Sequence, residues 1–325
     1  MGEFELIRRY FQRPGGTNPA VALGIGDDCA LLQPAPGTQL AISSDMLVEG
    51  HHFFPDVDPE ALGHKALAVN LSDLAACGAR PLAFTLALSL PRADAAWLAS
   101  FARGLFTLAD AHGCTLMGGD TTRGPLNICI TVFGEVPVVN GRSQALLRSG
   151  GQVGDELWVS GTLGDARLAL EALQGRRTLP PEQLQAARQR LERPTPRVAL
   201  GLALRGIATA AMDLSDGLAG DLGHLLQASG CGARLEAAVL GTLPATRAAS
   251  LEEAGRLALV LGGGDDYELL FSAPAAQQDA VRAAGRAADV PLTCIGRLEA
   301  EPGLRVVDAQ GRLLEVRHTS YDHFA

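Results

Sequence analysis

Acidic residues in this chain recur among glycines and aliphatic residues, where surface carboxylates rarely occur. An ionised carboxylate that leaves water costs several kcal/mol unless a partner or a cation compensates it. Oxygen ligands without histidine or cysteine suit magnesium or calcium better than zinc. The pattern therefore predicts a fold that gathers carboxylates around hard divalent cations. In chain order, the acids are Asp27, Asp28, Asp45, Asp73, Asp120, Asp213, Asp216, Asp265, Asp266 and Glu268.

The length of 325 residues predicts two domains, because single cores usually stop growing near roughly 250–300 residues. The glycine-rich polar stretch 141–154 is typical of a domain junction. We therefore expect an N-terminal domain over 1–147 and a C-terminal domain over 148–325.

The net charge of -9 argues against a nucleic-acid partner, because such proteins usually present a basic face. Lys65 is the one lysine of the chain, so any step that needs a lysine must use it. Six scattered cysteines without metal-ligand spacing favour a reducing compartment. With no signal-peptide pattern and no apolar run of roughly 18 residues, we expect a cytoplasmic protein without a membrane partner.

Apolar periodicity predicts alternating strands and helices, with the acids after strands in three of the four N-terminal clusters. Asp45 is expected at the end of strand 39–43, and Asp120 after strand 115–117. Asp73 is the exception, because it interrupts an apolar helix. The predicted helices are 4–12, 59–77, 93–112, 163–173, 176–204 with a break at 194–196, 217–228 and 275–287. The predicted strands are 39–43, 82–90, 115–117, 126–139, 156–160, 209–213, 233–238, 267–272 and 292–298.

Glycines before the acids at 118–120 and 262–265 are typical of loops whose backbone approaches phosphate closely, although each could also be a structural turn. The common nucleotide and hydrolase motifs are absent. The sequence has no Walker lysine, kinase lysine set, dinucleotide-binding glycines, HExxH motif or GxSxG motif.

Phosphoryl transfer supported by metal ions remains, because it depends on positioning and charge neutralisation more than on covalent help. Arg123 and Arg148 are candidate phosphate contacts. The histidines at 51–52 favour a substrate contact over a metal site, and the aromatic tail at 321–324 suggests docking over a ring-bearing ligand.

Seven motifs in order resemble those of bacterial thiamine-monophosphate kinases, over essentially the whole chain. They are GIGDDCAL at 24–31, SSDMLVEGHHF at 43–53, KALAVNLSDLAA at 65–76, GGDTTRGP at 118–125, RSG at 148–150, DLSDGL at 213–218 and YDHF at 321–324.

The resemblance implies an α+β protein with α/β-type layers and the two-domain fold of aminoimidazole ribonucleotide synthetase. It implies a sheet-plus-helices N-terminal domain that dimerises through its sheet, and a C-terminal α+β domain that closes an ATP and substrate cleft. The implied reaction transfers the γ-phosphate of ATP directly to thiamine monophosphate with several Mg²⁺ ions, giving thiamine diphosphate.

The resemblance also assigns roles to matching positions, with no side chain acting as general acid or base and with Asp120 and Asp216 as the nearest catalytic candidates. Asp265 stands where the family often has a glutamate, and the motif leaves open whether Asp27 or Asp28 is the ligand. The implied metal ligands are Asp28, Ser43, Ser44, Asp45, Asp73, Asp120, Asp213 and Asp216. The implied ATP contacts are Gly119, Asp120, Arg148 and Ser215, and the implied substrate contacts are His52, Asp265 and Tyr321.

Two alternatives stay open. One is another ATP-dependent enzyme of the same superfamily that acts on a ribonucleotide or on selenide. The other is a binding protein that divalent cations stabilise and that has no turnover.

Overall fold

The structure is a computed structural model that describes residues 2–13, 18–244 and 251–315. The chain divides into two compact units. Unit 1 comprises Met1–Leu74 and Ala79–Gln144, and unit 2 comprises Ala75–Gly78 and Ala145–Ala325. The chain thus passes into unit 2 after residue 144, whereas the sequence predicts a boundary after residue 147. Along the described part of the chain, no helix has the length and apolar character needed to cross a membrane.

Unit 1 is built on one mixed sheet, in which the strands follow the order β3, β6, β4, β5. Strand β6 runs antiparallel to β3 and β4, whereas β4 and β5 are parallel. A short β7 pairs with β6, and β1 pairs with β2 separately. The helices are α1 (Glu3–Tyr10), α2 (Pro59–Ala76) and α3 (Ala95–Ala111). The strands are β1 (Val21–Leu23), β2 (Leu31–Leu32), β3 (Thr38–Val48), β4 (Arg80–Leu90), β5 (Thr115–Arg123), β6 (Asn127–Val139) and β7 (Arg142–Ser143).

Helix α2 has apolar residues around most of its circumference and is largely buried, as expected for such a helix. It contacts α3 closely at glycines: a Cβ on Gly63 would lie 2.1 Å from the Phe101 carbonyl oxygen, and one on Gly104 would lie 1.9 Å from that of Glu60. The carboxylate of Asp94 begins α3 by accepting the backbone N–H groups of Ala96 and Trp97. Asp73 is thereby carried on a buried helix rather than on a solvated one.

Unit 2 contains a six-stranded sheet in the order β13, β10, β12, β8, β11, β9, antiparallel except for the β10–β13 pair. Buried leucines of α7 and α9 share one core with these strands. The helices are α4 (Asp165–Leu173), α5 (Pro181–Glu192), α6 (Val198–Ala203), α7 (Leu218–Ser229), α8 (Ala237–Leu240), α9 (Glu253–Gly262) and α10 (Gln278–Ala287). The strands are β8 (Glu156–Ser160), β9 (Ala210–Asp213), β10 (Gly232–Glu236), β11 (Leu269–Ala273), β12 (Leu292–Glu299) and β13 (Gly303–Val307).

Strands β3 and β5 extend five and six residues beyond their predicted ends, and both carry candidate site residues. β3 pairs with β6 from Thr38 to Val48, so Asp45 lies inside a strand rather than at its end. β5 continues to Arg123 beside β4, which places Asp120 inside a strand as well. The predictions failed because backbone pairing with a neighbouring strand tolerates polar side chains that alternate onto one face.

Candidate functional site

An acidic pair in unit 1 forms where β3 meets α2. Side chains alternate along a strand, so Ser43 and Asp45 lie on the same face. The Ser43 hydroxyl donates a hydrogen bond to Oδ2 of Asp73, which lies on α2. The Asn70 side chain accepts the backbone N–H of Asp45 at 3.1 Å. Three of the predicted ligands are therefore assembled by one strand and one helix.

The carboxylates of Asp45 and Asp73 lie close enough to repel each other, and we call them the crowded acids. Burial, together with the nearby Asp73 carboxylate, raises the pKa of Asp45 to about 7. A second negative charge within a partly desolvated site disfavours ionisation, and a bound cation would relieve that cost. The donors are all oxygens, which fits Mg²⁺. The residues present thus suit the cation that the sequence predicts.

The acids do not form a complete cage by themselves. Across residues 2–13, 18–244 and 251–315, no three side chains of His, Cys, Asp or Glu converge well enough to hold a metal ion. Mg²⁺ commonly binds one or two carboxylates and takes its other ligands from water and substrate phosphates. The pair therefore resembles part of a nucleotide-dependent site rather than a closed structural one.

Ser44 lies on the opposite face of β3 from this pair. Its hydroxyl is 2.9 Å from the Thr131 hydroxyl and donates to the Ile130 carbonyl at 3.2 Å. The structure brings Ser43 to the acids but directs the Ser44 hydroxyl elsewhere.

Asp28 and Asp120 correct the expectation that all the acids are withdrawn from water, because both are exposed. Asp28 follows the turn at Gly26, and its N–H donates to an Asp27 carboxylate oxygen at 2.8 Å. Asp27, which is also exposed, thus has a local turn contact, and which of the two acids is the ligand stays open. Asp28 and Asp120 lie outside the pair between β3 and α2.

Gly119 has a structural reason to be glycine. Its φ is +145°, and a Cβ there would lie 1.9 Å from the Leu86 carbonyl oxygen of β4. The close approach of the two strands explains this glycine without a ligand.

His52 follows β3 and has a defined orientation. Its Nδ1 accepts the backbone N–H of Val48 at 3.0 Å, so the proton of the neutral ring is on Nε2. Lys65, which is buried, donates to the His52 carbonyl at 3.4 Å. The single lysine of the chain therefore supports the turn that carries His52.

In unit 2, Asp213 ends β9 and is buried, and the chain then turns through Ser215 and Asp216 into α7. Asp221 fixes this turn, because its Oδ2 accepts the backbone N–H groups of Asp216 at 3.0 Å and Gly217 at 3.1 Å. Burial raises the pKa of Asp221 to about 7 despite these hydrogen bonds. Sequence reasoning missed Asp221, although an acid in the first turn of a predicted helix is a known capping signal.

The segment 263–268 lies beside this turn. The N–H of Asp265 donates to the Ser215 carbonyl at 2.8 Å, and that of Tyr267 donates to the Leu214 carbonyl at 2.8 Å. The structure therefore brings Asp265 to the turn that carries Ser215 and Asp216.

Sequence reasoning also missed a role for Glu268 and Asp266, both of which are buried. Glu268 binds Arg190 and Arg197. Burial raises the pKa of Asp266 well above its usual range, although it accepts the Gly164 N–H. The local sequence DDYE at 265–268 does not indicate which of its acids are buried.

Two predicted contacts, Arg148 and Tyr321, remain. Arg148 is exposed, and its carbonyl accepts the Ser229 hydroxyl at 3.0 Å within unit 2. Tyr321 lies outside the described residues.

Comparison with known proteins identifies related sequences over both units. The family model "AIR synthase related protein, N-terminal domain" matches residues 26–136, and "AIR synthase related protein, C-terminal domain" matches residues 152–309. The chain is 47% identical over 328 residues to a thiamine-monophosphate kinase of Salmonella typhimurium, covering 100% of this chain and 98% of the relative.

Solved structures show the same likeness. The thiamine-monophosphate kinase of Stenotrophomonas maltophilia K279a has a TM-score of 0.83 at 44% identity, covering 96% of each chain. AaThiL complexed with AMPPCP and TMP has a TM-score of 0.73 at 28% identity, covering 99% of this chain and 95% of that one. By full-length identity and by both of its domains, the chain belongs to the AIR synthase related family and, within it, to the thiamine-monophosphate kinases.

Proposed function

We propose that the protein transfers the γ-phosphate of ATP to thiamine monophosphate and releases ADP and thiamine diphosphate. The observation that carries the proposal is the acidic pair Asp45–Asp73 with its Ser43 hydroxyl, in a chain of this family. In the reaction, the bond between the γ-phosphorus and the bridging oxygen of ATP breaks. A bond from an oxygen of the acceptor phosphate to the same phosphorus forms.

The acceptor oxygen is already anionic near neutral pH, so the step needs no strong general base. This agrees with a site that offers carboxylates and hydroxyls rather than a histidine–carboxylate dyad. The chain's contribution is to hold the phosphates in line and to neutralise their charge.

We assign Mg²⁺ to the oxygen donors of Ser43, Asp45 and Asp73, and we extend the proposed set to Asp28, Asp120, Asp213 and Asp216. Ser44, which the resemblance also implies, is left out because its hydroxyl lies on the opposite face of β3. When bound, the ion would offset phosphate charge and orient the phosphoryl group. Ser43 keeps Asp73 oriented through its hydroxyl. The contacts of Gly119, Arg148 and Ser215 with ATP stay a prediction.

His52 is proposed to bind the phosphate of the substrate. Because Nδ1 accepts the Val48 N–H, the N–H donor of the neutral ring is Nε2. A donor in that state suits an anionic oxygen. Asp265 and Tyr321 complete the proposed substrate contacts.

We further propose that a second copy of the chain covers the open face of the unit 1 sheet. Ile42 and Met46 are 59% and 53% exposed on one face of β3, and Leu40 continues the row. β3 also ends the strand order of this sheet. Exposed apolar rows of this kind are typical of interfaces. A monomeric mass by light scattering at assay concentration would contradict a dimer.

A cytoplasmic location also stays a prediction from the cysteines.

The function is tested with purified protein, ATP, Mg²⁺ and thiamine monophosphate, with chromatographic separation of the products. We expect thiamine diphosphate and ADP to form in equal amounts, and no product when EDTA replaces Mg²⁺. Turnover of a ribonucleotide or selenide without thiamine diphosphate would favour the first alternative. Cation binding without any turnover would favour the binding protein.

A further inference from the structure

A buried cluster around Glu268 serves none of the roles assigned above. The Glu268 side chain is fully buried, and Arg197 donates to its two oxygens at 2.6 and 2.5 Å. Arg190 donates to Oε1 at 2.7 Å, and the Ser160 hydroxyl donates to Oε2 at 2.5 Å. We call Ser160, Arg190, Arg197 and Glu268 the Glu268 cluster. Its two arginines and one acid are held in fixed geometry.

The cluster reaches the backbone of the segment that carries Asp265. The Nη2 atom of Arg190 also donates to the Asp266 carbonyl oxygen at 3.3 Å. The flanking residues Asp265 and Tyr267 have φ values of +66° and +50°. Non-glycine residues in this left-handed region are strained and stay there only when their surroundings hold them. Arg190 thus binds the peptide between two strained residues.

Backbone hydrogen bonds connect the cluster to the turn beside it. The Leu214 N–H donates to the Glu268 carbonyl at 2.9 Å, and the next bonds along the segment are those of Tyr267 and Asp265 to the Leu214 and Ser215 carbonyls. The Ser160 hydroxyl accepts the Leu269 N–H at 2.8 Å, which fixes the residue after Glu268. A shift of the Glu268 side chain would therefore move the backbone that presents Asp265.

Net stabilisation is a poor explanation for such a cluster, because buried ion pairs often contribute little once their desolvation is counted. Fixed orientation explains it better: bidentate arginine contacts have narrow geometry, and a strained segment needs rigid support.

We propose that Arg190, Arg197 and Glu268 are positioning residues that hold Asp265 in the conformation in which it contacts thiamine monophosphate. The proposal rests on the assignment of Asp265 to that contact under the proposed function. It predicts that loss of the cluster weakens substrate binding through Asp265.

A double-mutant cycle with Glu268→Gln and Asp265→Ala tests this. Gln keeps the shape of Glu268 but loses its charge. We expect Glu268→Gln to raise KM for thiamine monophosphate about tenfold, with kcat and the KM for ATP within about twofold. In the Asp265→Ala background the same change should raise that KM no further. Additive effects in the cycle, or equal rises in both KM values, would overturn the proposal.

Helix α5 supplies a matched control. Arg188 lies on it two residues before Arg190 and pairs with Glu192 at 2.7 Å. Arg190→Lys keeps the charge but loses the second hydrogen bond, so we expect a smaller rise in KM for thiamine monophosphate. Arg188→Lys should leave both KM values unchanged. An equal effect of the two substitutions would contradict the proposal.

The outcomes separate this inference from the proposed function. Thiamine diphosphate formation by the unaltered protein tests the function alone. If that activity is present but Asp265→Ala leaves KM for thiamine monophosphate unchanged, the positioning role is wrong and the function stands. If Glu268→Gln fails to fold by circular dichroism, Arg190→Lys and Ser160→Ala replace it in the cycle with the same criterion.

Discussion

Two acidic clusters, one in each unit, compensate their negative charge in opposite ways. In unit 1, burial and the neighbouring Asp73 carboxylate both raise the pKa of Asp45, so that Asp45 is harder to ionise. In unit 2, Arg190 and Arg197 both bind Glu268. A bound cation would stabilise the first arrangement, whereas in the second the arginines of the chain already supply the positive charge. We infer that crowded acids mark the place where a cation and phosphates bind, whereas arginine-bound acids hold the scaffold.

The largest expected effect follows from removing one of the crowded acids. Asp45→Asn and Asp73→Asn should each lower kcat/KM by about 10²- to 10³-fold, as expected for loss of a group that stabilises transition-state charge. Initial rates of thiamine diphosphate formation at saturating ATP measure this. Asp56→Asn, an exposed acid after the His52 turn, is the control and should stay near the unaltered rate. Comparable losses in all three would remove the distinction between crowded and ordinary acids.

The ionisation of Asp45 should lower the stability of the metal-free protein as the pH rises. The pKa of Asp45 is raised from 3.8 to about 7 in the folded protein, so protonation favours folding. The loss of folding free energy caused by ionised Asp45 is absent below about pH 4, grows as the pH rises from about 4 to 7, and is complete above that range. In EDTA at pH 8, Asp45→Asn should therefore melt at a higher temperature than the unaltered protein. The difference should shrink toward pH 4.5, and a difference that grows there would contradict the crowding.

Asp221 represents a third case, an acid compensated by backbone N–H groups. Asp221→Ala removes the acceptor of the Asp216 and Gly217 N–H groups. By analogy with helix-cap losses, it should lower the free energy of unfolding by about 1–2 kcal/mol. Urea denaturation measures this. Asp221→Asn keeps one acceptor oxygen and should cost less, so equal losses would argue against the hydrogen-bonding role.

The smallest contrast compares two adjacent hydroxyls. Ser43→Ala removes the hydrogen bond to Asp73 and should lower kcat/KM several-fold, about 1 kcal/mol in transition-state terms. Ser44→Ala removes contacts on the opposite face of β3 and should change kcat/KM less than about twofold. Steady-state rates on the paired variants decide the point. A larger loss for Ser44→Ala would place the ligand face of β3 on the other side.

Sequence patterns predicted much of this fold because α2 and β4 are long apolar runs and because α3 has a clear apolar periodicity. They failed where polar residues continue a strand, as at Asp45 and Asp120, because pairing with β6 and β4 is a property of the neighbouring strands. Helix α9 and strand β13 were not predicted either.

The candidate site was predictable where motifs name the residue, and less so where partners come from distant segments. Ser43 and Asp73 were both selected, but their hydrogen bond depends on how α2 packs on β3. Glu268 meets Arg190 and Arg197 across 78 and 71 positions of the chain, which no local pattern encodes. The expected burial of Asp28 and Asp120 was wrong because neighbouring glycines indicate tight backbone geometry as readily as burial.

The central claim is that the crowded acids of unit 1 bind the catalytic cation. Mn²⁺, used in place of Mg²⁺, can be titrated by electron paramagnetic resonance in the presence of a non-hydrolysable ATP analogue. We predict that Asp45→Asn combined with Asp73→Asn loses at least one Mn²⁺ per chain, while Glu268→Gln keeps the full number. An unchanged number and affinity of bound Mn²⁺ in the Asp45/Asp73 double variant would contradict the claim.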